Sequence, residues 1–366
     1  MRLILLSLVL LVTFNYQTAA QGCVAIRSTG GFCSAEQNEK AGATQSAWLF
    51  NSNVRYFKSF RHFSGAEEQK QRVEEGTEVI NHSVSIDLTL TRVINKRWSI
   101  AVDVPVISNA RSSMYEHYGN TSKSPNARQS THTFGIGDIR FAAYYWLIDP
   151  AKMSKGNIQA GLGIKLPTGD YRFQDYFRKN DSTSVLGPVD QSIQLGDGGT
   201  GFTTEINAYY HFSKAISAYG NFYYLLNPRE QNGVSTARGG TASASAIKNG
   251  SAIMSVPDQF MIRAGANITV NNLMFSAGVR EECLPVHDLI GGSNGFRRPG
   301  YIVSVEPGIT YNAKKVSVYA FVPVAVERNR TQSVPDKITT DQTGKYTIGD
   351  AAFADYTINV GCSFRF

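Results

Sequence analysis

Gly291-Gly292-Ser293-Asn294-Gly295, with His287 and Asp288 just upstream, spells the Gly-x-Ser-x-Gly pattern that can aim a nucleophilic serine. That elbow works only between a strand and a helix, where the sharp turn lifts the hydroxyl out of the chain. Both flanks read as loop here, and Gly, Ser and Asn at a loop tip need no further reason. His62, His82, His117, His132 and His287 fall in or beside loops, and His211 lies near a short turn, so none accompanies a serine at an apolar surface. Asp190 and Asp197, in LGPVDQSIQLGDGGTG, offer oxygens to calcium, but their spacing is not that of an EF-hand loop, and they read as solvated turn residues. The sequence calls for no cofactor and no metal, and a non-enzyme is expected.

A larger set of polar residues recurs at spacing two. Arg55, Asp87, Asp103, Asp138, Arg140, Lys165, Glu205, Arg263, Arg280, Glu306, Glu327, Asp355 and Arg365 alternate with apolar residues, as do the rings Tyr144, Trp146, Tyr209, Tyr219, Tyr223, Tyr319 and Phe321. Alternation over five to a dozen residues is the mark of a strand with one apolar and one polar face. Twelve such strands can be counted, starting 47–60, 83–91, 98–107 and 138–147, continuing 157–166, 202–212, 216–226 and 258–268, and ending 273–280, 301–311, 316–326 and 355–366.

Their connections alternate too. Short turns at 95–97, 149–156, 213–215, 270–272 and 312–315 interleave with long segments at 63–82, 109–136, 168–201, 227–257, 281–300 and 328–352. Short turns at one end and long loops at the other are the pattern of an antiparallel outer-membrane barrel, with the short turns periplasmic. A soluble barrel would turn its apolar face inward, so charge and rings must decide the sense. The apolar faces read as free of charge, and they carry Trp48, Trp98, Tyr145, Phe212, Tyr311 and Phe366 toward one end and Tyr56, Phe202, Tyr224, Phe260, Tyr301 and Tyr356 toward the other. Two aromatic girdles around an aliphatic band fit a wall that faces lipid. The expected fold is therefore all-β, a transmembrane antiparallel barrel of about twelve strands in the outer membrane of a Gram-negative bacterium.

The termini agree. Met1, Arg2, an apolar run from Leu3 to Phe14 and Thr18-Ala19-Ala20 read as a secretory signal cut after Ala20, and no apolar stretch is long enough for a transmembrane helix. Losing Arg2 takes the formal charge from +7 to +6. That mild excess lacks the clustered Lys/Arg run that nucleic-acid binding needs. A mean hydropathy of -0.21 looks soluble, but a barrel escapes such averages because only alternate residues meet lipid. Residues 21–46 do not alternate; they either plug the barrel of residues 47–366 or hang in the periplasm. Cys23 and Cys33, exported together, are candidates for a small disulfide loop, while Cys283 and Cys362 read as free thiols. The final strand ending at Phe366 is the expected handle for the barrel-assembly machinery.

Six basic against seven acidic inward charges make the lumen near neutral, and opposed charges on adjacent strands should pair and constrict it, which disfavours a strongly ion-selective porin. Rings beside Gly161, Gly163, Gly265, Gly278 and Gly361 either leave room for a partly hydrophobic molecule or simply fill a packed lumen. Pro105, Pro167 and Pro323 are expected near strand ends, where a missing ladder bond costs little, and Pro307-Gly308 is expected to bulge the wall.

GIGDIRFAAYYWL at 135–147, GLGIKLPTGDY at 161–171 and NAYYHFSKAISAYGNFYYLLNP at 207–228 give the chain a resemblance to the outer-membrane family named for the meta-cleavage pathway of phenol degradation. The resemblance covers about residue 135 onward. It implies a barrel related to transporters of hydrophobic compounds and supplies no catalytic residue. The expected function is a channel or transporter for small, partly hydrophobic or aromatic cargo. The alternatives are a closed barrel that displays its loops to an external partner and an outer-membrane hydrolase.

Overall fold

The computed structural model describes residues 47–152 and 155–366. The wall begins with β1 (Trp48–Ser64), whose end is met by the two-residue β2 (Glu67–Glu68), and continues through β3 (Ile80–Val93) and β4 (Trp98–Ser113). The next wall strand is broken into β5 (Gln129–Ile136) and β6 (Arg140–Trp146), and β7 (Gly156–Lys165) follows. A hairpin of β8 (Gln174–Arg178) and β9 (Ser184–Pro188) lies outside the wall, which resumes with β10 (Gly201–His211) and β11 (Ile216–Leu226). Another outlying pair, β12 (Gln231–Ser235) and β13 (Ile253–Ser255), precedes β14 (Gln259–Val270), β15 (Leu273–Leu284) and β16 (Gly300–Asn312). A second broken strand, β17 (Val316–Phe321) and β18 (Val324–Arg330), leads to β19 (Ala351–Arg365), which pairs antiparallel with β1 and closes a twelve-strand barrel. Short helices α1 (Gln71–Glu74), α2 (Ala244–Lys248) and α3 (Val334–Thr343) occupy the long loops.

Closure explains the sequence pattern. A closed sheet has no edge, so every backbone polar group in the wall can be paired within it and the outer face can meet hydrocarbon. Outward residues are correspondingly bare: Leu162 is 68% exposed and Ile268 55%, whereas the inward Arg263 is 5% exposed. This is the inverse of a soluble barrel. The two-residue turn between β14 and β15 uses Asn271 at φ 55°, a left-handed conformation that asparagine tolerates.

Several strands run farther than alternation alone shows. β1 reaches Ser64, β4 reaches Ser113, and the expected loop 109–136 contains β5, which pairs with β4 from Val106↔Ile136 to Ser113↔Gln129. Two prolines stand at wall breaks rather than at strand ends. Pro105 lies inside β4, where the partner changes from β6 to β5, and Gly137 N–H donates to its carbonyl at 2.8 Å. Pro323 divides β17 from β18. Proline has no N–H to give its neighbour, so pairing on one side changes partner there, while β3 pairs on through Asp87↔Pro105.

Pro307-Gly308 does not bulge toward β15, whose pairing passes Ala277↔Pro307 and Ser276↔Gly308 without a shift. The irregularity falls on the other side, with a register shift at Val303/Ser304 against β18. Beyond Val324↔Tyr356, β18 and β19 share no further ladder pair, and the gap is spanned by Arg328, which donates to the Ala354 carbonyl at 3.1 Å and to Asp355 at 2.8 Å. Higher up, Gly65 and Arg330 exchange backbone hydrogen bonds of 2.8 and 2.9 Å.

That seam corrects two of the expected inward charges. The register shift turns Glu327 outward, opposite Val303, where Tyr301 donates to it. Asp355 sits in a rim ion network with Arg61 and Arg328. Nor are the outward faces wholly free of charge: Lys58 is exposed with its ammonium 4.8 Å from the Phe60 ring, and Glu281 takes an outward position near the end of β15. Cys283 and Cys362 are unbridged, and the Cys23–Cys33 loop, the signal segment and the placement of residues 21–46 lie outside the described residues.

Candidate translocation path

Side chains of alternate residues on each strand meet inside the barrel, in layers. At the short-turn end Trp146, Tyr209, Tyr219 and Met274 form an apolar cluster, with Trp146 edge-on to Tyr209 at 6.1 Å. Above it the charges pair. Arg140 donates to Glu205 at 2.6 Å, Tyr144 donates to the same carboxylate at 3.2 Å, and the Arg140 guanidinium lies 5.5 Å from the centre of the Tyr223 ring. Glu306, fully buried, accepts from Arg263 and, at 3.3 Å, from Arg280, which also donates to Glu282 at 2.9 Å. Arg263 stacks 4.6 Å from Phe321 and 5.4 Å from Tyr219. Charges taken out of water hold only when paired and hydrogen-bonded in this way.

On the far side Tyr319 donates to Asn51 at 3.1 Å, Arg55 to Asn359 at 3.4 Å and Thr89 to Asp103 at 2.7 Å. Asp87 differs. It is 1% exposed, and neither carboxylate oxygen has a hydrogen-bond partner among the described residues. Lys165 sits between Asp138, at 3.4 Å, and Asp197. Apart from Glu327 and Asp355, most of the charged residues and rings expected inward are buried and joined into small networks of this kind.

The rings do not leave the glycines' space open. Tyr144 lies against Gly161, Tyr219 against Gly265, Phe321 against Gly308, and Tyr319 against Gly361, each directly across the ladder, and the Tyr219 hydroxyl reaches on to Gly278 of the next strand. A methyl group at any of these glycines would collide with the ring. Here a glycine lets a flat ring lie close to the neighbouring backbone.

Above this layer is a cavity of about 150 Å³. Charged Arg55, Asp103, Arg140 and Lys165 line it alongside apolar Phe57, Pro105, Tyr223, Leu225 and Leu284. Its ceiling comes from the long segment between β7 and β10, which spacing had suggested was a solvated loop. Residues 189–197 instead cross the mouth. On one side the Ile193 carbonyl accepts from Asn109 of β4 at 3.2 Å and from Thr133 of β5 at 2.7 Å. On the other, Gln191 donates to the Ser255 carbonyl at 2.8 Å, just before β14, five ladder steps around the wall from β4. Within the crossing, Val189, Ile193 and Leu195 are buried.

Asp190 anchors this crossing. It accepts from Ser192 N–H at 3.0 Å as the cap of a short helical turn and takes both arms of the Arg298 guanidinium at 2.8 and 2.7 Å, with Arg238 at 3.1 Å and Arg111 at 3.5 Å. Burial alone would raise its carboxyl, but the charges of Arg111 and Arg298 outweigh burial and hold it well below the ordinary carboxylate value. Asp197 is likewise an ion-pair partner, to Lys165. Neither aspartate is a solvated turn residue.

A second cavity of about 390 Å³ lies beyond the crossing. Arg72, Arg111, Arg238, Arg297, Arg298 and Arg330 form part of its wall, and Gln191 and Arg298 line both cavities. None of these arginines could be picked from periodicity, because they come from loops and strand ends. Their one sequence trace is the doublet Arg297-Arg298 in an otherwise Gly-rich loop.

Ser293 has no catalytic setting. Its Oγ accepts from Asp288 N–H at 2.8 Å, Asp288 is held by both arms of Arg297, and His287 Nε2 lies 3.3 Å from Lys337 Nζ.

No protein-family model matches the sequence, and no curated protein matches it. Among solved structures, an outer membrane channel from Pseudomonas putida F1 shares the fold over 88% of this chain and 96% of that one, at 11% identity and a TM-score of 0.55. Fainter likenesses, at TM-scores of 0.42 and 0.41, reach a Ralstonia pickettii toluene transporter (10% identity, 95% of this chain and 97% of that one) and the CymD monoaromatic hydrocarbon channel (9% identity, 97% and 99%). With its closed ladder and lipid-facing belt, the chain is a bacterial outer-membrane barrel.

Proposed function

We propose that this barrel is an outer-membrane channel for small, partly hydrophobic or aromatic molecules and a relative of the family named for the meta-cleavage pathway of phenol degradation. The observation that carries the reading is the pair of cavities in series, separated by the crossing at 189–197 and bordered on both sides by Gln191 and Arg298. The inner one has the volume that a benzene-sized ring needs, and its wall mixes rings and aliphatic groups with a few charges, as sites for small organic molecules do. The crossing supplies a restriction near the long-loop face, and its anchors are ion pairs and side-chain hydrogen bonds rather than ladder bonds. Passage requires them to open.

A second reading is favoured by a different observation. The buried ion-paired layer around Glu205 and Glu306 would suit a barrel that stays shut and acts through its loops. Planar-bilayer conductance together with uptake of ionised aromatic acids into proteoliposomes separates the two. Current steps and uptake above empty liposomes are expected; silence in both would leave only the closed barrel.

A further inference from the structure

Five short turns close the periplasmic end of the barrel, and their charge is one-sided. Lys96, Arg97, Lys152, Lys155, Lys214, Lys314 and Lys315 stand there against a single acidic residue, Asp149. The lysines are exposed, and among the described residues no carboxylate forms an ion pair with any of the seven. Such a ring gains nothing for the fold by itself, because like charges on neighbouring turns repel. The opposite end carries no such bias: its outward charges, Lys58, Glu281 and Glu327, are of both signs.

One sector of this rim is built toward lipid rather than toward water. Trp48 on β1 and Trp98 on β4 point outward in the short-turn girdle, 39% and 46% exposed. Arg92, across the ladder from Trp48, holds its guanidinium 4.9 Å from that ring. Arg97 donates to the Tyr145 hydroxyl at 2.6 Å, and Tyr145 packs against Trp98 with ring centres 4.7 Å apart. Neither guanidinium has an ion-pair partner among the described residues. Tryptophan and tyrosine rings settle where hydrocarbon meets headgroups, so cations held on them stand at the depth of the lipid phosphates. A ring face steadies a guanidinium fork without using up its N–H groups. A soluble acidic partner would meet the exposed lysines, but it gives no reason for two guanidinium groups anchored within the aromatic belt.

We propose that this outward sector of β1, β3 and β4 binds anionic phospholipids of the periplasmic leaflet. Arg92 beside Trp48 takes one headgroup phosphate and Arg97 beside Trp98 takes another, while the acyl chains lie against the indoles. Lys96 and the lysines of the neighbouring turns add attraction for a headgroup with net negative charge. The site lies outside the wall and does not depend on whether the lumen conducts.

The test is tryptophan quenching in vesicles of phosphatidylcholine that hold the full chain and a fixed fraction of lipid brominated on its acyl chains, either phosphatidylglycerol or phosphatidylcholine. Bromine quenches an indole that it touches. Trp48 and Trp98 both lie at the short-turn end, and the third tryptophan, Trp146, is buried inside the barrel and gives a constant background. At equal fraction, brominated phosphatidylglycerol should be preferred at the rim about fivefold, the effect of roughly one basic side chain at an anionic surface. Arg92→Gln and Arg97→Gln should each lower that preference and together remove most of it, whereas Arg92→Lys and Arg97→Lys, which keep the charge, should retain it. Heat-modifiable gel mobility establishes that each variant has folded, and the comparison of the two lipids on the unaltered protein needs no variant at all. Equal quenching by the two lipids would overturn the site and leave the basic turns to a soluble partner. An unchanged preference in the folded double glutamine variant would also overturn it.

Discussion

The middle of the barrel and its mouth are both built from buried ion pairs, yet they are held by different means. In the middle, Arg263, Arg280 and Glu306 come from three adjacent strands, β14, β15 and β16, so the backbone ladder fixes where each charge stands before any of them pairs. In the mouth, Asp190 meets Arg111, Arg238 and Arg298, and the last of these is 108 residues away in sequence. No ladder sets that distance. These pairs, with the side-chain hydrogen bonds of Asn109, Thr133 and Gln191, hold the crossing in place, so the mouth can rearrange while the wall remains intact.

The comparison is broken most severely at Glu306. Glu306→Gln removes the carboxylate shared by two buried guanidinium groups and should cost about 3–5 kcal/mol, read as a lower urea midpoint for unfolding in detergent. If the midpoint is unchanged, the middle layer is not a structural unit. Gly361→Leu forces a side chain into the Tyr319 ring and should cost about 1–3 kcal/mol in the same assay, with no effect on the mouth. Ser333→Ala sharpens the contrast from the other side. Ser333 caps α3, accepting from Asp336 N–H at 3.2 Å while the Asp336 carboxylate accepts from Ser333 N–H at 2.8 Å. Its loss should cost about 1 kcal/mol locally, seen as faster proteolysis of the 331–350 loop at an unchanged global midpoint.

Acid should loosen the mouth, and only late. Burial would raise the carboxyl of Asp350, but the hydrogen bond from His62 and the charges of His62, Arg72 and Arg298 push it down to about 2, from an ordinary 3.8. A carboxyl lowered by folding stabilises above its unfolded value and loses that contribution as pH falls through its folded value. Asp190 is shifted in the same direction. Proteolytic protection of the mouth should therefore be flat between about pH 8 and 5 and fall below about 4. A loss already centred near pH 6 would assign the mouth's stability to other groups.

The wall was legible in the sequence because lipid outside and polar groups inside impose a strict period of two on every strand. Leu162, Ile268 and Arg263 could be assigned to faces from spacing alone. The period fails where the constraint does. Beyond the lipid belt, β5 and the ends of β1 and β4 need no apolar face, so their pairing left no pattern. At Val303/Ser304 a single shift reversed the sense of Glu327, which spacing alone could not reveal. The crossing at 189–197 is legible only through its contacts, since burial of Asp190 depends on arginines supplied by other loops.

The central claim is that the lumen is a path restricted at the mouth by Asp190 and its arginines. Single-channel recording of the full chain beside Asp190→Asn, which withdraws the charge that holds three guanidinium groups together, tests it most directly. Small current steps from the unaltered protein and larger or longer ones from the variant are predicted. Silence from both, with correctly folded barrels in the membrane, would contradict it.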